Sequence, residues 1–281
     1  MDIELRNLGD VVAKCWERAE ETTRQAVAEK HIAPAEEHLT VLFGGELRAA
    51  VAKASGRREF EEAFLEDVQR EFPDVDVGVV SEFNGLIAQV NLHNRWHEGR
   101  LSAADVGVVI CRPSVYRVGT NEVQIVRDQR RALLAQAKLG RADEKREGRV
   151  KWRNLSKKQE DLIPTHKDYY SLLLYRLAGS SRNELAPFSW QLCRKHSVPE
   201  IKEWLRDGSF PEEIRSRDVI RGLSDGAVGT DSESVIERCI DPRNTRAGAI
   251  EIRVFWPDGE GPLDLLVRLR HESRIVVHVS A

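Results

Sequence analysis

Apolar residues recur at helical spacing near the start of the chain. Leu5, Leu8, Val12, Cys15, Trp16 and Ala19 predict one amphipathic helix from Asp2 to about Lys30. Pro34 suits the first turn of a second helix. That helix carries Leu39, Phe43, Leu47 and Ala50 and stops near Ser55-Gly56. Gly44-Gly45 inside it marks close packing or a kink. A third helix covers Glu59 to Glu71, ahead of Pro73. The pattern then changes. Val75 to Val90 is rich in Val, Ile and Phe and predicts strand, with a break at Asn84-Gly85. Ala103 to Ile110 predicts a buried strand. A loop follows at Pro113 to Thr120, and then a strand ending at Lys138. Gly140 to Gly148 is a charged loop, and Leu155 to Ile163 a short helix capped by Asn154 or Ser156. Tyr169 to Leu177 is an apolar run of central-strand length.

Beyond that point the pattern predicts helices at Pro199 to Arg206, Asp218 to Leu223 and Ser232 to Cys239. Ala249 to Trp256 and Leu263 to Val279 predict a closing set of antiparallel strands. No internal repeat or low-complexity linker interrupts the chain. The expectation is an α/β fold, with residues 1–33 a helical extension and residues 34–281 one domain. Its core spans 34–178 and an elaboration spans 179–281.

Composition narrows the function classes. Of 281 residues, 32% are charged and 41% hydrophobic, which suits a soluble globular chain. No apolar run approaches a membrane span, and the acidic Met1 to Arg6 segment does not resemble a secretory leader. Cys15, Cys111, Cys193 and Cys239 form no Cys-x-x-Cys pair, so neither a zinc site nor a disulfide framework is expected, and a cytoplasmic location is. No phosphate-binding glycine loop is present, which argues against ATP use.

The net charge of -3 conceals an asymmetry. From Arg127 to Lys158 there are twelve Lys or Arg against four Asp or Glu, which leaves the remainder acidic. Such a segment is either a solvated loop or a local site for a polyanion. Arg131, Arg141, Lys151 and Arg153 are the expected contacts to a nucleic-acid backbone. Trp152 among them either stacks on a base or anchors the loop.

The candidate chemistry lies in Leu133-Leu134-Ala135-Gln136-Ala137-Lys138. Side chains alternate across a strand, so Gln136 and Lys138 share a face and Ala137 takes the other. Pairing with the Asp105 strand would bring an acid, an amide and an ammonium together, a set that can hold a divalent cation beside a phosphodiester. The plain alternative is that Lys138 marks where a strand leaves the core. A further carboxylate is expected from the second helix. Glu36 lies three residues before Leu39 and so near its buried face, with Glu37 in reserve; Glu82 and Glu98 are further options.

These residues resemble the PD-(D/E)XK nuclease superfamily, in the branch where glutamine replaces the second acid. Asp105 with Gln136-Ala137-Lys138 carries the central motif. Glu36-Glu37-His38-Leu39-Thr40 resembles the first-helix signature, and Gln159 followed by the strand through Tyr175 fits the later part. The resemblance covers roughly Glu36 to Leu177. It implies a restriction-endonuclease-like mixed central sheet flanked by helices. It implies Glu36, Asp105 and Gln136 as ligands of Mg2+ or Mn2+, Lys138 as the catalytic lysine, and Gln159 as a residue positioning the DNA backbone. It implies DNA cleavage, in many free-standing members for defence against phages or plasmids, with a homodimer or a partner subunit of a defence system as further expectations. Residue 104 is Ala where the superfamily name has Pro. The alternative function is an inactive nuclease fold that binds nucleic acid or a protein partner.

Overall fold

The computed structural model describes residues 6–30, 35–73, 83–93, 104–117, 123–142, 150–165, 167–178, 184–240, 245–256, 266–270 and 274–280. Helices α1 (Arg6–Lys30), α2 (Glu36–Gly56) and α3 (Glu59–Glu71) come first. Strands β1 (Phe83–His93), β2 (Val106–Arg117), β3 (Val123–Ala142) and β4 (Val150–Trp152) follow. Then come α4 (Lys157–Leu162), β5 (Tyr170–Arg176), β6 (Ser189–Leu192), α5 (Val198–Asp207) and β7 (Glu213–Arg215). The chain continues through α6 (Ser216–Asp225), α7 (Glu233–Ile240), β8 (Thr245–Trp256), β9 (Leu266–Arg270) and β10 (Arg274–Ser280).

The strands form one mixed sheet in the order β7-β6-β5-β3-β2-β1-β8-β10-β9, with β4 added to β3. Most neighbours are antiparallel; β3 with β5 and β8 with β10 are parallel. Tyr170 to Tyr175 of β5 is buried throughout, as expected of a strand covered on both faces. One apolar cluster joins α1, α2, α3 and α6 to Leu133, Ala135, Ala137 and Leu139 of β3. The other joins Trp152, Leu155, α5 and α7 to Ala132 and Leu134, on the opposite face. Helices therefore cover both sides of the sheet. α1 belongs to this core: Trp16 stacks on Phe43 and on Trp190, with ring centroids 4.8 and 5.6 Å apart. No helix among the described residues is long and apolar enough to cross a membrane.

The expected elements need several corrections. β1 has no break at Asn84-Gly85: both residues are paired with β8, at Asn84↔Phe255 and Gly85↔Val254. β2 continues through the predicted loop as far as Arg117. Its pairing with β1 runs only from Leu92↔Val106 to Ala88↔Ile110, so Pro113 lies beyond it, in a β2–β3 arm where a missing N–H is tolerated. β3 does not end at Lys138 but runs on to Ala142. The closing strands are not all antiparallel, because β10 pairs with β8 in parallel. β6 and β7 have no counterpart in the expected elements. Gly44 marks close packing: a Cβ there would lie 2.6 Å from Leu92 Cδ1.

Candidate active site

The site is built where β2 and β3 part. Their ladder ends at Val106↔Ala135, and β4 rejoins β3 at Gly140↔Trp152. β5 occupies the other edge of β3 from Leu134 to Gly140. Between the two pairings the N–H groups of Ala137 and Leu139 face a gap in the ladder, and a buried N–H must find an acceptor. Ala137 donates to Asp105 Oδ2 at 2.8 Å, and Leu139 donates to Glu36 Oε2 at 3.0 Å. Two carboxylates thus stand in for the missing strand, anchored about 7 Å apart by the strand repeat.

The backbone of Asp105 is pinned from both sides. Its N–H donates to Ala135 O at 2.9 Å, and its carbonyl accepts from His93 N at 2.7 Å. Glu36 opens α2. Thr40 Oγ1 donates to the Glu36 carbonyl at 3.0 Å, and the Tyr175 hydroxyl lies 3.3 Å from Thr40 Oγ1. Since the Thr40 proton is committed to that carbonyl, Tyr175 is the donor in the second bond and ties the first turn of α2 to β5. Burial pushes the Tyr175 hydroxyl far above its ordinary pKa, which keeps it a neutral donor.

Gln136 and Lys138 project together to the face opposite Ala137, 1% and 2% exposed. Gln136 Nε2 donates to Asp105 Oδ2 and, at 3.2 Å, to Ala137 O. Its Oε1 accepts from Gln159 Nε2 at 2.7 Å. Gln159 Oε1 accepts from Ser156 N at 2.9 Å and from Lys138 Nζ at 3.5 Å. Ser156 Oγ in turn accepts from Gln159 N, so Ser156 and Gln159 form the capping box of α4. Of the two caps considered from sequence, Ser156 is the one used.

Glu36, Glu37, Asp105, Lys138, Arg153, Asn154, Leu155, Ser156, Lys158 and Gln159 line one cleft of about 650 Å³. A buried ammonium needs anionic company, and three carboxylates share its cleft.

Glu36, Asp105, Gln136, Lys138 and Gln159 therefore converge. Arg153 is exposed at the rim, joined by Lys158. Arg141 and Lys151 are paired between β3 and β4 and exposed, but do not line the cleft. Arg131 stands apart: its Nη1 donates to Gly229 O at 3.2 Å. It lies seven residues from Lys138 on the other strand face, about 23 Å away along β3. Glu82 and Glu98 lie outside the described residues, as do Pro34 and residues 143–149 of the basic segment. Trp152 is an anchor, buried against Phe210 with ring centroids 5.1 Å apart.

No protein-family model, curated protein or solved structure matches this chain. The geometry alone carries the functional argument.

That geometry admits some ligands and excludes others. The donors at the fork are carboxylate oxygens, which suit a hard cation that keeps several waters. Among the described residues no group of three His, Cys, Asp or Glu is placed to cage a metal. A cation of the Mg2+ class, held by two carboxylates and solvent, fits this donor set; a zinc site does not. Sequence reasoning keeps Glu37 in reserve and gives Tyr175 no role. The spacing of Glu36 and Thr40, one helical turn apart, is the signal for the clamp on α2.

Proposed function

We propose that this protein is a Mg2+-dependent endonuclease of restriction-endonuclease-like fold that hydrolyses DNA phosphodiester bonds. The observation that carries this reading is the convergence of Glu36 of α2, Asp105 just ahead of β2 and Lys138 of β3 on one cleft with a basic rim. Glu36 and Asp105 would hold the cation. The bound cation supplies charge relief on the phosphate and a more acidic water.

The chain's own groups do the rest. Arg153 and Lys158 at the cleft bind flanking phosphates, a contact that positions the backbone without reading bases. Lys138 presents its ammonium to the scissile phosphate and offsets the charge that grows on its oxygens. Water adds to phosphorus and gives up a proton to solvent, the bond to the leaving sugar oxygen breaks, and that oxygen takes a proton from solvent. Gln159 holds Lys138 in place through Oε1. The resemblance adds defence against foreign DNA as the setting, with cleavage of both strands requiring a dimer.

The test is incubation of the purified chain with supercoiled plasmid and Mg2+ or Mn2+. Nicked or linear product is expected, abolished by chelation and by Lys138→Met. Cleavage that persists unchanged in Lys138→Met and in Asp105→Asn removes the assignment.

A further inference from the structure

The amides of Gln136 and Gln159 form a relay whose direction is set from both ends. At one end Gln159 Oε1 meets the N–H of Ser156 and the ammonium of Lys138. Neither group can accept a hydrogen bond, so an oxygen is required there. The Gln159 amide nitrogen must then face Gln136, whose oxygen accepts it at 2.7 Å. At the other end the Gln136 nitrogen meets Asp105 Oδ2 and Ala137 O, which only accept. Oxygen and nitrogen of an amide are told apart by such partners, and these partners agree.

We infer that Gln136 is not a cation ligand but a positioning residue, which grips Asp105 through its N–H2, with its direction dictated by Gln159 through the capping box of α4. Turning the Gln136 oxygen toward the cation would require Gln159 to turn as well. That would set the Gln159 N–H2 against the Ser156 N–H and the Lys138 ammonium, donor against donors. The cation is left with the carboxylates of Asp105 and Glu36, and Gln136 competes with it for Asp105 Oδ2. This inference rests on the nuclease reading for its cation, though not for the direction of the relay.

The two are separated by measuring the relay without metal and with it. In the metal-free full chain, Gln136 N–H2 and the Ala137 N–H converge on the same oxygen. A nuclear Overhauser contact between them is therefore expected, and its absence overturns the inference whatever the chain does to DNA.

Mn2+ binding, followed by electron paramagnetic resonance, supplies the second arm. Gln136→Met removes a competitor for Asp105 and should leave Mn2+ affinity unchanged or raise it a few-fold. Were Gln136 a ligand, affinity would fall about tenfold or more, a loss of the size that damage to a metal site produces. Gln159→Glu keeps the capping box but places an acceptor against the Gln136 oxygen. Gln136 must then turn, present its oxygen to the cation and tighten Mn2+ binding about tenfold, one pK-like unit of interaction. The same substitution in a Gln136→Met background should tighten binding far less. Equal tightening in both backgrounds means only an added negative charge and overturns the relay. Absence of Mn2+ binding in every variant sinks the nuclease reading, while the Overhauser contact still decides the relay.

Discussion

Two carboxylates in this molecule do the same local job and differ in everything around it. Asp67 of α3 is fully buried, and accepts from Asn7 N at 3.0 Å and Leu8 N at 2.9 Å, at the exposed start of the α1 ladder. Arg70 completes it at 2.8 Å. Asp105 also accepts an orphaned backbone N–H, at the fork between β2 and β3. A carboxylate on backbone N–H groups is therefore not a functional signature here. The difference is that Asp67 is buried and closes on the solvent-exposed Arg70, whereas Asp105 opens on a cleft with a buried lysine and two further acids. Both helix ends and strand forks leave donors that must be paired. Only the fork leaves room for a substrate beside them.

Substituting the two acids alike should separate the roles most strongly. Asp105→Asn keeps an oxygen for the Ala137 N–H but loses the charge. Cleavage should fall by about three orders of magnitude, in the range seen when a key electrostatic group is removed, with the thermal midpoint nearly unmoved. Asp67→Asn should do the reverse. Both Asp67 oxygens accept backbone N–H groups, so the new N–H2 must face a donor. Stability should drop by about 2–4 kcal/mol, while the specific activity of the folded fraction stays at the parent level. Thermal unfolding and plasmid cleavage on both variants check this. Similar profiles for the two would erase the distinction.

A second buried acid sharpens the same contrast through pH. Glu20 of α1 is 8% exposed and accepts from Trp16 Nε1 at 3.0 Å and from Ser216 Oγ. Burial pushes its pKa up to about 8, against hydrogen bonds that pull the other way. The folded state then holds a proton that the unfolded state has lost, between the ordinary carboxyl value of 4.5 and about 8. Its contribution is fully present below the lower value and falls as pH rises through that window. Glu20→Gln should flatten the dependence and stabilise the chain by a few kcal/mol at alkaline pH. Denaturant titrations across this range measure it. A parent whose stability is flat there refutes the assignment.

The chemistry of the fork is more legible in the sequence than its architecture. Period-two alternation is enough to put Gln136 and Lys138 on one face, and helical spacing is enough to aim Glu36 inward from Leu39. The fork itself is not readable, because Ala137 and Leu139 look like any apolar strand positions. Their unpaired N–H groups follow from where β2 stops, which is a fact of register. The same limit hides the parallel pairing of β10 with β8, since parallel and antiparallel partners share one side-chain period. It hides β6 and β7 as well, four and three residues long, whose place is set by β5. Arg131 shows the opposite failure. Charge counting groups it with Arg153, but Arg131 lies within β3 and bonds to Gly229 O, whereas Arg153 follows β4 at the cleft.

The rim gives a smaller effect. Arg153→Ala with Lys158→Ala should weaken DNA binding about tenfold and lower the slope of log affinity against log salt by about two, one for each phosphate no longer neutralised. Arg131→Ala, at the other surface, should leave that slope unchanged. Fluorescence anisotropy at several salt concentrations distinguishes them, and an equal drop from Arg131→Ala would place the DNA elsewhere.

The smallest expected change tests how far the cleft depends on α4. Ser156→Ala removes the side-chain acceptor for the Gln159 N–H at 3.3 Å, and loss of such a cap costs about 1 kcal/mol. The Ser156 backbone N–H remains, so Gln159 Oε1 keeps its donor and the relay keeps its direction. Cleavage should fall only as far as α4 frays, a few-fold at most, and should recover on cooling as the helix re-forms. Gln159→Ala removes the other half of the capping box and the relay together, and its activity should not recover on cooling. If the two variants respond to temperature alike, the short helix merely supports the cleft wall, and Gln159 has no role in the site beyond capping.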